Sequence, residues 1–165
     1  MNKYKLLNAL LVTSFVFFCS ISLASAKTGH KPGQTAPEFT LKKLTGGKTS
    51  LAELRKNGHV MLIFWEPNCV YCFSHINEFN ELHEKYQNKG LTLAAINFLG
   101  EYDEDVADYV KNNNVKYMML SDRLNNIDVA EAYHVIGSPT IVLIAPDGKV
   151  VFYGYTIPDV TKWIK

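Results

Sequence analysis

A chain of 165 residues with 17 basic and 16 acidic side chains carries a formal charge of +1, and a balance so near zero excludes a charge-driven role on nucleic acid or at membrane surfaces. With 47% hydrophobic residues the chain can bury a real core, and its length suits one domain once an N-terminal segment is set aside. Three cysteines are too few for a disulfide scaffold, and no repeat or low-complexity tract appears.

Lys3 and Lys5 precede an apolar stretch from Leu6 to about Leu23, and Ala24-Ser25-Ala26 supplies small residues at signal-peptidase spacing. Residues 1–26 therefore read as a signal peptide, with an uncleaved anchor as the alternative because the stretch approaches membrane-spanning length. Asn8, Thr13, Ser14, Ser20 and Ser22 dilute it and favour cleavage after Ala26. Cys19 leaves with this segment, since Phe17 and Phe18 are too bulky for a lipoprotein signal. Loss of Lys3 and Lys5 keeps residues 27–165 near neutrality, with Cys69 and Cys72 as their cysteines.

Residues 27–38 read as an extended lead-in. Residues 39–51, FTLKKLTGGKTSL, place Gly46-Gly47 between two short extended pieces and predict a small hairpin. Val60 to Trp65 is a continuous apolar run of the kind buried on both faces of a central strand. From Cys72 onward, Ile76, Phe79, Leu82 and Tyr86 recur at helical steps, and Lys89-Gly90 stops the helix. Leu91 to Phe98 is a second strand. Asp103 to Val110 is a helix with acids in its first turn, ended by Asn112-Asn113-Asn114. Tyr117 to Leu120 is a strand, and Ile127 to Tyr133 a helix expected to be capped by Asn126. Thr140 to Ala145 and Val150 to Tyr155 form a hairpin across Pro146-Asp147-Gly148, and a last helix is expected from Pro158. Strands separated by helices require parallel crossovers, while the final turn adds an antiparallel strand. The fold class is α/β, with a central mixed sheet flanked by helices and an N-terminal β-hairpin extension.

Cys69 and Cys72 lie where a buried strand meets a helix. First-turn amides lack intrahelical partners and carry partial positive charge, so a thiolate placed there is stabilised. Cys69 is expected to be exposed and nucleophilic, with Cys72 packed inward beneath it, close enough to resolve a mixed disulfide. A zinc site would need two more ligands from His75, His59, His83 or His134, and no second Cys-x-x-Cys exists. A purely structural crosslink over so short a loop constrains the unfolded chain little. Dithiol–disulfide exchange is the chemistry this placement favours. Farther on, Gly137-Ser138-Pro139-Thr140 puts a proline at a strand entrance, a place suited to a cis bond that the pattern alone leaves open.

Across residues 27–165 the chain resembles the thioredoxin superfamily, and within it the TlpA/ResA-like extracytoplasmic thiol–disulfide oxidoreductases. The likeness rests on APEFTLKKLTGGKTSLAEL for the lead-in and hairpin, VMLIFWEPNCVYC for the strand and active-site turn, and AYHVIGSPTIVLIAPDGKVV for the proline segment and final hairpin. It implies a thioredoxin-like domain over 27–165 whose redox-active disulfide Cys69–Cys72 serves in place of any cofactor. It also implies a cis Pro139 facing the cysteines, and a Ser138 backbone that hydrogen-bonds a bound partner. Trp65 matches the family's tryptophan before the turn and joins the expected partner-binding residues.

The sequence departs from the family at several points. Asn68 and Tyr71 stand where relatives often carry tryptophan and proline, and Ile63 stands where thioredoxin has a buried aspartate. His75 replaces a glutamate common among relatives, a change that would lower the thiolate pKa, whereas Glu66 would raise it if turned inward. The bland reading is a helix-flank His75 and a solvated Glu66. The resemblance implies a periplasmic monomer that exchanges with protein thiols and disulfides, acting as a reductant fed by a membrane electron donor. Apocytochrome c maturation and disulfide quality control are its candidate tasks. Oxidase or isomerase action is the alternative. Peroxidase chemistry wants Thr-x-x-Cys and a nearby arginine, where this chain has Glu66-Pro67-Asn68-Cys69 and only Arg55 and Arg123. A copper chaperone would use both cysteines with His134 reaching inward.

Overall fold

The computed structural model describes residues 27–165, so the segment read as a signal peptide lies outside the described residues. A five-stranded sheet in the order β5-β4-β3-β6-β7 organises the molecule. Its strands are β3 (His59–Trp65), β4 (Leu91–Asn97), β5 (Met118–Leu120), β6 (Thr140–Ile144) and β7 (Val150–Gly154). β3, β4 and β5 run parallel, whereas β6 is antiparallel to both β3 and β7, giving the mixed sheet expected from the crossovers and the last turn.

β3 is apolar from Val60 to Trp65 because both of its faces are covered there. Met61, Ile63 and Trp65 point into one core cluster, while Val60, Leu62 and Phe64 point into another. The cysteines belong to the first cluster with Phe79, Leu93 and Val106. The second holds Leu41, Leu51 and Tyr133, whose hydroxyl donates to the Pro37 carbonyl at 2.7 Å.

The N-terminal hairpin pairs β1 (Thr40–Lys42) with β2 (Lys48–Ser50) across Gly46 and Gly47, both at positive φ. It shields the β5 edge, where Leu44 N–H donates to Met119 O and Ser121 N–H to Lys42 O. The lead-in covers the opposite edge through Gly33 N–H to Val150 O and Val150 N–H to Gln34 O.

A short helix, α1 (Leu51–Leu54), follows the hairpin and was not anticipated. Its signal is the capping box Ser50-x-x-Glu53, in which each side chain accepts from the other residue's N–H. The long helix expected after the cysteines is divided into α2 (Val70–Ser74) and α3 (Ile76–Tyr86), because His75 leaves helical geometry at φ −109° and ψ 11°. Gly90 ends this region in the left-handed conformation, as a glycine stop requires.

α4 (Asp103–Asn112) carries Asp103, Glu104 and Asp105 in its first turn. α5 (Arg123–Ala132) starts earlier than expected, so Asn126 is a buried helix-interior residue and not a cap. Its amide donates to Asn97 O at 2.9 Å and Leu120 O at 3.2 Å, tying α5 to the ends of β4 and β5. The expected C-terminal helix is a 3₁₀ turn at Val160–Lys162, where Asp159 takes both the N–H and the hydroxyl of Thr161. Val160 and Ile164 bury there, anchoring the turn by packing.

Candidate active site

β3 delivers the chain to the site. After Trp65 the backbone reverses through Glu66-Pro67-Asn68, closed by Cys69 N–H donating to Glu66 O at 3.1 Å. Cys69 then occupies the N-cap of α2, and its Sγ accepts from Cys72 N–H at 3.0 Å. A sulfur is thus the capping group, a role usually taken by a hydroxyl or carboxylate. Phe73 N–H donates to Cys69 O at 3.0 Å and fixes the first turn. This turn brings the two Cα atoms to 5.2 Å, and the cysteines are joined as a disulfide.

The expected contrast between an exposed Cys69 and an inward Cys72 is corrected: each is only 5% exposed. The crosslink draws the Cys69 sulfur back onto the Cys72 amide, so the accessible surface is left to the neighbours. Asn68 is exposed beside it, as are Val70 and Phe73, at 80% and 59%. Ile63, where a buried aspartate stands in thioredoxin, is flanked by its apolar strand partners Ala95 and Ile141.

Trp65, expected among the partner-binding residues, faces inward. It is 3% exposed, lies in the cysteines' core cluster and stacks at a tilt on Tyr109 with ring centroids 4.4 Å apart. Tyr109 was not singled out from sequence; its place on the inward side of the α4 periodicity is the signal that was there. Its burial raises the phenol's pKa above its ordinary 10.0.

Strand register brings the proline segment to the cysteines. Phe64 pairs with Thr140, so the antiparallel β6 carries Pro139 and Ser138 alongside Trp65 and Glu66. The Ser138–Pro139 bond is cis and Pro139 is buried. The half-buried Ser138 makes no backbone–backbone hydrogen bond among the described residues, while its hydroxyl donates to Glu66 Oε1 at 2.7 Å. The expected solvated Glu66 is therefore a half-buried residue bridging two loops.

His75 stands at the helix break. Its Nδ1 lies 2.9 Å from Tyr71 O and 2.9 Å from Ser74 Oγ, and its ring stacks on Tyr71 with centroids 3.8 Å apart. Nε2 is 4.0 Å from Glu78. These contacts turn the imidazole onto its own helix.

The remaining candidates lie elsewhere. His134 does not reach inward; it is exposed and stacks on His30 with centroids 5.1 Å apart. His59 begins β3, at the strand end opposite the cysteines. Among the described residues no group of three or more His, Cys, Asp or Glu could hold a metal. Arg55 pairs with Glu38, and Arg123 donates to Gly100 O while lying over the Tyr102 ring.

The AhpC/TSA family is matched over residues 32–153. ResA, a thiol–disulfide oxidoreductase of Bacillus thuringiensis, is 34% identical over 119 residues, covering 72% of this chain and 66% of its own length. The ResA of Geobacillus thermodenitrificans is 32% identical over 141 residues, covering 86% of this chain and 79% of the relative. Among solved structures, the thioredoxin domain of a Bacteroides vulgatus thiol–disulfide oxidoreductase superposes with a TM-score of 0.74 at 24% identity, over 82% of this chain and 99% of that one. A thiol:disulfide interchange protein from Bacteroides sp. gives 0.66 at 25% identity, over 78% and 81%. The chain therefore belongs to the AhpC/TSA family, with a thioredoxin-like fold and ResA proteins among its relatives.

Proposed function

We propose that the Cys69–Cys72 pair reduces disulfides in other exported proteins. The observation that carries this reading is the cap geometry: the Cys72 amide points at the Cys69 sulfur at 3.0 Å. In the dithiol form the same amide stabilises a thiolate there, lowering the cost of deprotonating Cys69. That thiolate attacks one sulfur of the partner's disulfide. A Cys69–partner bond forms as the partner's S–S bond breaks and its first thiolate leaves. The Cys72 thiolate then attacks the Cys69 sulfur and expels the partner's second thiolate. Two electrons pass to the partner, whose sulfurs take up two protons, and Cys69–Cys72 closes. A dithiol donor at the membrane restores it by the reverse exchange.

The Ser138 backbone, unpaired beside the turn, supports partner binding by strand-like hydrogen bonds at the cis-proline loop. Trp65 contributes by supporting the turn from below. The protein acts as a monomer outside the cytoplasm; the basic, apolar and small-residue pattern of residues 1–26 supports export. Among the described residues no helix is long and apolar enough to cross a membrane.

The test is insulin reduction with dithiothreitol as donor, together with partner trapping. Cys69→Ala is expected to bring the rate down to that of dithiothreitol alone. Cys72→Ala is expected to accumulate mixed disulfides resolved on non-reducing gels. Trapping by Cys69→Ala in place of Cys72→Ala would reverse the roles. A reduction potential of the couple near −120 mV, the range of strong oxidants, would reverse the direction of electron flow.

A further inference from the structure

Glu66 stands in an unusual place for a carboxylate. It follows the last residue of a strand buried from Val60 to Trp65 and is itself half-buried, three residues before Cys69. One oxygen accepts the Ser138 hydroxyl, across a gap of 72 positions in sequence. No lysine, arginine or histidine among the described residues forms an ion pair with it. Two exposed apolar side chains flank the site in the chain: Val70 lies just past Cys69, and Ile136, 75% exposed, lies two residues before Ser138.

From this arrangement we propose that Glu66 is a specificity-determining residue that favours partners carrying a lysine or arginine beside the reacting disulfide. The inference rests on the exchange activity proposed above. Ser138 belongs to the loop that an incoming segment would pair with, so its hydroxyl holds the carboxylate at the seam between that segment and the cysteines. A cation on the partner would meet a fixed, partly desolvated negative charge, whose field is stronger than that of a freely solvated side chain. An acidic neighbour would meet repulsion at the same point, so discrimination comes from both signs. The apolar side chains on either side would contact the rest of the segment without regard to charge.

The probe is a pair of synthetic peptides, each with one internal disulfide, identical except for lysine or glutamate beside the reacting cysteine. Single-turnover reduction by the dithiol form of residues 27–165 is expected to favour the lysine peptide by about fivefold at low salt. That preference is expected to shrink in about 1 M NaCl. Glu66→Gln retains an acceptor for Ser138 but removes the charge, and is expected to bring the ratio close to one. A purely structural tie would leave the ratio unchanged in Glu66→Gln, and that result overturns the inference. So does a wild-type protein that reduces both peptides equally. Failure of the wild type to reduce either peptide or insulin would bring down the exchange activity itself, and is distinct from both.

Discussion

Tyr71 occupies a position where relatives often carry proline, and its carbonyl and ring are both engaged by His75. A proline there would supply no aromatic ring for the imidazole to stack on. The pair is self-contained: Nδ1 faces a carbonyl of its own helix and must carry the proton in that bond, so its polarity is spent locally. The reading of His75 as a helix-flank residue accounts for these contacts, and an effect on the thiols does not follow from them. His75→Ala is expected to leave the pH profile of Cys69 alkylation where it is while lowering stability by about 1 kcal/mol through the lost stack and hydrogen bond. A shifted alkylation profile, measured with iodoacetamide on the dithiol form, would give His75 back its modulating role.

Between elements, the position of the cysteines depends on where β3 and β4 begin. Gly58 and Gly90 lie side by side at that end, both with positive φ, and His59 N–H donates to Gly90 O at 2.7 Å. A Cβ on Gly58 would stand 2.3 Å from the Gly90 oxygen, a backbone atom that cannot swing away. The crossing of these glycines starts the parallel register that runs from His59–Leu91 to Trp65–Asn97. Gly58→Ala is expected to cost more than about 1 kcal/mol, from strain at φ 125° added to the clash. Urea unfolding measures it. A Gly58→Ala protein of wild-type stability would mean that the two strands can separate there without cost.

Over the whole molecule, acid sensitivity follows from histidines held neutral by burial. Desolvation lowers His59 and His83 below their ordinary 6.5, against a raising influence from Asp147 and Glu84 respectively. His30 is lowered by desolvation first, then by the nearby charges of His134 and Lys31. In each case the unfolded chain binds the proton more tightly than the folded one. Their contribution is complete above about pH 6.5 and is lost as pH falls through that value toward the depressed folded pKa values. The urea midpoint is therefore expected to be level from about pH 7 to 8 and to decline between about pH 6.5 and 5, before most carboxylates titrate. His59→Gln is expected to flatten that decline in part. A midpoint insensitive to pH over this interval would show that these imidazoles protonate in place.

Short-range patterns explain what could be read without coordinates. The apolar run at 60–65, the acids opening α4, the glycine stop at 90 and the Cys-x-x-Cys at a strand-to-helix junction each express their physics within a few residues. Hence the α/β order, the mixed sheet and the placement of the cysteine pair are determined by the sequence itself. Asn126 looked like a cap because the same amide chemistry serves a helix start and a buried bridge, and only the carbonyls at 97 and 120 distinguish them. The burial of Cys69 beneath its neighbours, the floor made by Trp65 on Tyr109, and the bond from Ser138 to Glu66 were settled by tertiary structure. The last arises where antiparallel β6 meets the end of β3 and the stack where α4 packs on that end, and side-chain contacts between residues so far apart have no local signature in the chain.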